Sequence, residues 1–164
     1  MNKKHFSTLS SVVLIIVLAL AVLPSTSAKA VGEVITSTAT GGMWNDSTTW
    51  VGGVVPDVVD DSIVIATTGG DSVILSGATT VKGSLTINSV AELITGNFAL
   101  TLEGDFVNNG NFEPGSSNIT IAGAAPTQSI AGFTTTITGN VSMTKTAGVA
   151  TFTGGVSAVG LTLN

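Results

Sequence analysis

The side chains best suited to chemistry crowd into one short stretch. Asp57, Asp60 and Asp61 lie close together, with Asn45 and Asp46 a little upstream. Such a cluster offers the hard oxygen ligands that calcium takes. The same residues also read as turn and strand-entry groups held by their own backbone contacts. No D-x-D-x-D-G loop and no G-G-x-G-x-D repeat accompanies them. Paired carboxylates are also the machinery of glycoside hydrolysis, which needs two carboxyl groups converging in a cleft. Beside the acidic cluster stand Trp44 and Trp50, six positions apart and next to a Gly/Pro turn. Two indoles so placed either offer a stacking platform to a glycan or lay large apolar faces over the end of a fold.

What the chain lacks narrows these options. After residue 30 it contains no histidine, cysteine, tyrosine or arginine. Near neutral pH most nucleophiles and general bases depend on such groups, on a positioned lysine or on a metal. A serine or threonine here has no histidine to activate it. The expectation is a non-catalytic protein with no cofactor, calcium being the one ion its residues admit.

The first thirty residues have the layout of a secretory signal peptide. Lys3, Lys4 and His5 supply the positive start, and Val12 to Leu23 is unbroken apolar sequence. That run is shorter than the roughly 20 residues of a spanning helix. Pro24 ends it, and small residues follow up to Ala28 and Ala30, after either of which cleavage fits. The expected location is therefore outside the cell or on its surface, with membrane contact only during export.

Removing residues 1–30 leaves Lys82 and Lys145 against ten acidic residues, a formal charge of −8. Such a surface repels nucleic acid and anionic lipid. With no cysteine there is no disulfide framework, so packing and hydrogen bonding must hold the exported chain together.

The elements that must position the acidic cluster and the tryptophans are strands. Short alternating segments recur: Ser62 to Ile65, Ser72 to Leu75, Ser84 to Ile87, Ala99 to Leu102, Asn118 to Ile121, Thr135 to Thr138 and Gly160 to Leu163. Gly and Asn separate them, and no helical periodicity follows the leader. Several segments share an apolar-Thr-apolar pattern, led by Leu85, Leu100, Ile119 and Leu161, with Ile137 falling in the same spacing. A self-similar unit near 20 residues is the mark of a solenoid. The fold expected is all-β, a right-handed parallel β-helix preceded by a signal-peptide helix. Leu85, Ile87, Leu100, Leu102, Ile119 and Ile121 are expected to face inward, with Thr and Ser facing water. An antiparallel β-sandwich is the alternative, since it also uses short strands and polar turns. The organisation expected is residues 1–30 as signal peptide, 31–60 as an N-terminal cap and 61–164 as coils.

The run from Met43 to Trp50, the Gly52-Gly53-Val54-Val55-Pro56 turn and Asp60-Asp61-Ser62-Ile63-Val64-Ile65 resemble the head of G8-like modules. They are equally similar to the start of large bacterial surface proteins with parallel β-helix, adhesin-like passengers. Gly104-Asp105-Phe106-Val107-Asn108-Asn109-Gly110-Asn111-Phe112 resembles the N-N-G-x-F steps of those β-helices. Asp60 departs from the pattern, standing where a glycine is usual. The resemblance implies a secreted or surface β-helix serving as a structural or adhesive stalk, with glycans or other surface proteins as partners. The alternative is a carbohydrate-binding or polysaccharide-degrading accessory module whose active part lies downstream. Leu161 to Asn164 stops inside a strand pattern, as expected of a fragment or of a last coil docked on a neighbour.

Overall fold

The computed structural model describes residues 32–57, 61–133 and 136–163. The signal-peptide reading of residues 1–30, and Asp60, lie outside the described residues. What is described is nearly all-β, with almost no helix, wound as a parallel β-solenoid of about five turns. Three sheets form its sides.

The first sheet stacks β1 (Val34–Thr36), β3 (Ser62–Ile65), β6 (Leu85–Ile87), β9 (Phe106–Asn108), β12 (Thr127–Ala131) and β14 (Val149–Thr153) in that order. The second stacks β2 (Gly42–Met43), β4 (Val73–Ile74), β7 (Glu92–Ile94) and β10 (Asn111–Glu113). The third stacks β5 (Thr79–Val81), β8 (Leu100–Leu102), β11 (Ile119–Ile121), β13 (Thr136–Met143) and β15 (Ser157–Leu163). Every strand pairing is parallel. The one antiparallel contact is an isolated bridge between Ser37 and Trp50. Parallel pairing between successive coils excludes the sandwich, whose sheets are antiparallel.

These segments are strands because each offers β-branched or aromatic residues in alternation, one side for a dry interior and one for water. Register turns the alternation into columns. On the first sheet Ile35, Ile63, Leu85, Phe106, Ile130 and Phe152 stack in line. On the second, Val73, Leu93 and Phe112 do so. On the third, Leu100, Ile119 and Val141 form one column and Val81, Leu102, Ile121 and Met143 another. Leu85, Ile87, Leu100, Leu102, Ile119 and Ile121 are all buried, as their parity in the sequence requires.

The coil length is about 20 residues, but its unit differs from the one the repeats outline. Leu85 and Leu100 lead similar segments 15 positions apart, yet Leu85 belongs to the first sheet and Leu100 to the third. They are two sides of one coil. Coil-to-coil steps are 22 residues from Ile63 to Leu85 and 21 from Leu85 to Phe106. The winding also starts early, because β1 and β2 lie within residues 31–60 and pair with β3 and β4.

The cross-section changes along the axis. Among the described residues the second sheet ends at β10, and the third-sheet strand of the next coil lengthens to eight residues. Phe133 fills the widened interior. Its ring stacks on Phe106, with centroids 4.9 Å apart, and tilts against Phe112 at 5.8 Å. Buried polar groups close the corners. Thr95 and Ser117 hydroxyls lie 2.6 Å apart, and Thr95 Oγ1 donates to the Pro114 carbonyl at 2.8 Å. Gln128 is likewise buried, its Nε2 donating to the carbonyls of Leu102 and Gly104.

Candidate functional site

The tryptophan segment folds as a tight knot on the first coil. Asp46 opens a short 3-10 turn, Ser47–Thr49, its carboxylate accepting from the Thr48 N–H at 2.9 Å and the Thr48 hydroxyl at 2.8 Å. Those two bonds favour the charged form and hold the Asp46 carboxyl below the usual carboxylate range. Thr49 Oγ1 donates to the Met43 carbonyl at 2.8 Å, tying the turn to β2. A second turn, Val51–Gly53, follows, with Gly52 at φ 81°, a left-handed angle that glycine adopts freely.

This turn chemistry brings Trp44 and Trp50 edge to face. Their centroids are 5.0 Å apart with an interplanar angle of 79°. Trp50 is 2% exposed and Trp44 7%. Trp50 Nε1–H donates to the Trp44 carbonyl at 2.8 Å, so the one polar atom of the buried ring is satisfied. Trp44 N–H in turn donates to the Ile74 carbonyl, continuing the backbone ladder of the second sheet. Both rings belong to the same buried cluster as Ile35 and Ile63. Of the two readings open to this pair, burial favours the cap. A stacking platform needs an indole face open to the ligand, and neither ring has one.

The acidic residues are placed beside the cap. Asp57 is exposed and Asp61 is buried, and both line one cleft of about 350 Å³. Trp44, Val55 and Pro56 form its apolar wall, while Ser76, Thr79 and Thr80 contribute hydroxyls. Asp60, the third calcium candidate, lies outside the described residues. Among the described residues no group of three or more histidine or acidic side chains is placed to hold a metal ion. No lysine lines the cleft among those residues either. The cleft therefore brings together two carboxylates and a row of hydroxyls around an apolar wall, a set suited to holding a polar ligand.

No protein-family model, curated protein or solved structure matches the chain. The site must be read from its own geometry.

Sequence reasoning missed Ser76, Thr79 and Thr80 as neighbours of the aspartates. They lie on the far side of the coil that Asp61 opens, and only the winding of that coil brings them there. It also missed the outer face of the third sheet. There Thr80, Thr101, Thr120, Ser142 and Thr162 stand in register on five consecutive strands. Thr120 and Ser142 hydroxyls lie 3.3 Å apart. The apolar-Thr-apolar pattern marks each of these residues singly, but not their alignment.

Proposed function

We propose that this chain is a secreted or cell-surface β-solenoid stalk, structural or adhesive and non-catalytic, which displays Thr-, Ser- and Asn-rich faces to glycans or other surface proteins. The observation that carries the reading is the hydroxyl column of the third sheet, one Thr or Ser on each of five successive coils. A repeated, uncharged, hydrogen-bonding surface on a rigid scaffold meets an extended partner at many weak points, and such contacts add through effective concentration. Three further features support it. The leader-like sequence of residues 1–30 fits export. The Trp44–Trp50 pair is engaged in closing the core rather than held open for catalysis or sugar stacking. The head resembles the start of adhesin-like β-helix proteins of bacteria.

The test is made on the producing cell and on the purified protein. Fractionation and external protease accessibility should place the chain in the medium or on the surface, with a mature start at Lys29 or Val31 by mass spectrometry. The purified chain should bind glycans or surface proteins and turn over neither polysaccharides nor esters. Retention in the cytosol with an intact leader would sink the reading, and so would hydrolysis of any such substrate.

A further inference from the structure

A second concavity lies away from the tryptophan cap, along the corner where the first sheet turns into the second. It has a volume of about 490 Å³ and is lined by Ala66, Thr67, Thr68, Asn88, Ser89 and Asn109. These come from three consecutive coils. Ile65 pairs with Ile87 and Ile87 with Asn108, so the following residues Ala66, Asn88 and Asn109 stack in one column. The backbone confirms the alignment. Asn88 N–H donates to the Ile65 carbonyl at 3.0 Å, and Asn109 N–H to the Ile87 carbonyl at 2.9 Å. Two coil steps at about 4.8 Å make the groove roughly 10 Å long, parallel to the solenoid axis.

The lining is polar and uncharged. Asn88 and Asn109 are both exposed. Thr67 forms the buried floor of the corner, 1% exposed, with its Oγ1 accepting from the Glu92 N–H at 3.0 Å.

Next to these groups stands a residue that breaks local rules. Val90 has φ 65° and is 76% exposed. It occupies the turn closed by Ala91 N–H donating to the Asn88 carbonyl at 3.1 Å. A β-branched residue at positive φ is an outlier where glycine is the relaxed choice. Here the strain holds an isopropyl group out in water beside Asn88 and Ser89.

We propose that this groove binds a neutral oligosaccharide chain, laid along the corner with its hydroxyls on the Asn88 and Asn109 amides, and with a sugar C–H face on Val90. Amides and hydroxyls pair with sugar hydroxyls as both donors and acceptors. Val90, next in sequence to Ser89, offers an exposed apolar group that matches the amphipathic faces of a pyranose ring. The ligand is neutral because the groove holds no cation, and the chain beyond residue 30 carries ten acidic residues against two lysines. The proposal names the partner class for the stalk reading above and rests on it.

Titration calorimetry of the full chain with maltohexaose and cellohexaose, against polygalacturonate as the anionic control, tests this. At least one neutral hexaose should bind and polygalacturonate should not. Asn88→Ala combined with Asn109→Ala should weaken binding at least about tenfold with the melting temperature unchanged, since both side chains are exposed. Val90→Gly should also weaken binding while melting stays equal or rises, a split that a merely structural role would not produce. The proposal is overturned if neither hexaose binds, if polygalacturonate binds more tightly, or if the groove variants bind like the parent. The last outcome, with the protein still on the cell surface, removes the groove and leaves the stalk reading standing. Cytosolic retention removes the stalk reading by a separate measurement.

Discussion

The indole N–H of Trp50 donates to the backbone carbonyl of Trp44, 2.8 Å away, while the two rings meet edge to face. Trp50 is thus buried with its one polar side-chain atom satisfied. Parallel solenoids need a cover, because a terminal coil exposes its apolar interior and a row of unpaired strand edges.

The cap makes a graded prediction. Trp50→Ala should lower stability by about 3–5 kcal/mol in urea unfolding, the usual cost of removing a large buried aromatic ring. Trp50→Phe keeps much of the packing but leaves the Trp44 carbonyl without its donor, and should cost about 1–3 kcal/mol. Emission of the parent should be blue-shifted and insensitive to added polysaccharide. A Trp50→Ala variant within about 0.5 kcal/mol of the parent would show that the ring is no cap.

Strand parity is tested on one strand with two substitutions. Leu100 is fully buried between coils, whereas the next residue, Thr101, faces outward in the hydroxyl column. Leu100→Ala should cost about 2–5 kcal/mol. Thr101→Ala should stay within about 0.5 kcal/mol. Equal effects from the two would mean that β8 does not have one dry and one wet side.

At the corner after β8, Gly104 passes hard against the preceding coil. A Cβ added there would overlap the carbonyl oxygen of Gly83, which is backbone and cannot swing away. Gly104→Ala should therefore destabilise by about 1–3 kcal/mol, the range of overpacking. Gly77 is the control, since a Cβ there meets open space and its φ is not left-handed. Gly77→Ala should be neutral or stabilise by about 0.4–1 kcal/mol through the unfolded chain. Thermal unfolding of the two variants decides the matter, and Gly104→Ala melting like the parent would refute the close stacking of the corner.

Asp46 gives the pH dependence a sign. Its carboxyl is held below the usual range by the Thr48 bonds, so the folded state favours the charged form. That contribution is present above the unfolded-state value and disappears as pH falls through the folded-state value. Asp46→Ala should be less stable than the parent at neutral pH, and the gap should close in strong acid. A gap that is constant across the acid range would exclude the carboxylate as the cap of this turn.

Much of the fold is legible in the residues themselves. Alternation in Leu85-Thr86-Ile87, Leu100-Thr101-Leu102 and Ile119-Thr120-Ile121 assigns each side chain to the dry or the wet face, because a strand with one buried side has a period of two. Glycine and asparagine at the corners mark where the chain turns. The pairing of Trp44 and Trp50 follows from their short separation around a turn that Asp46 caps.

Other features have no local signature. Phe106-Val107-Asn108 places a polar residue in line with Ile65 and Ile87, and Gln128 is buried in the strand from Thr127 to Ala131, so neither segment shows a clean alternation. The candidate site divides in the same way. That Asp57 and Asp61 are close is plain from sequence, but their cleft is completed by Ser76, Thr79 and Thr80 from the far side of the coil that Asp61 opens.

The sequence by itself determined which face of the cleanly alternating strands is dry and where glycine and asparagine turn the chain, since these depend on residues a few positions apart. Only the tertiary structure decided that Leu85 and Leu100 sit on different sheets, that Thr95 meets Ser117, and that Asn88 and Asn109 line one groove. Those relations span about one coil of chain. They are set by inter-coil hydrogen-bond register and by how many residues each corner takes up, quantities that only the closed stack of coils specifies.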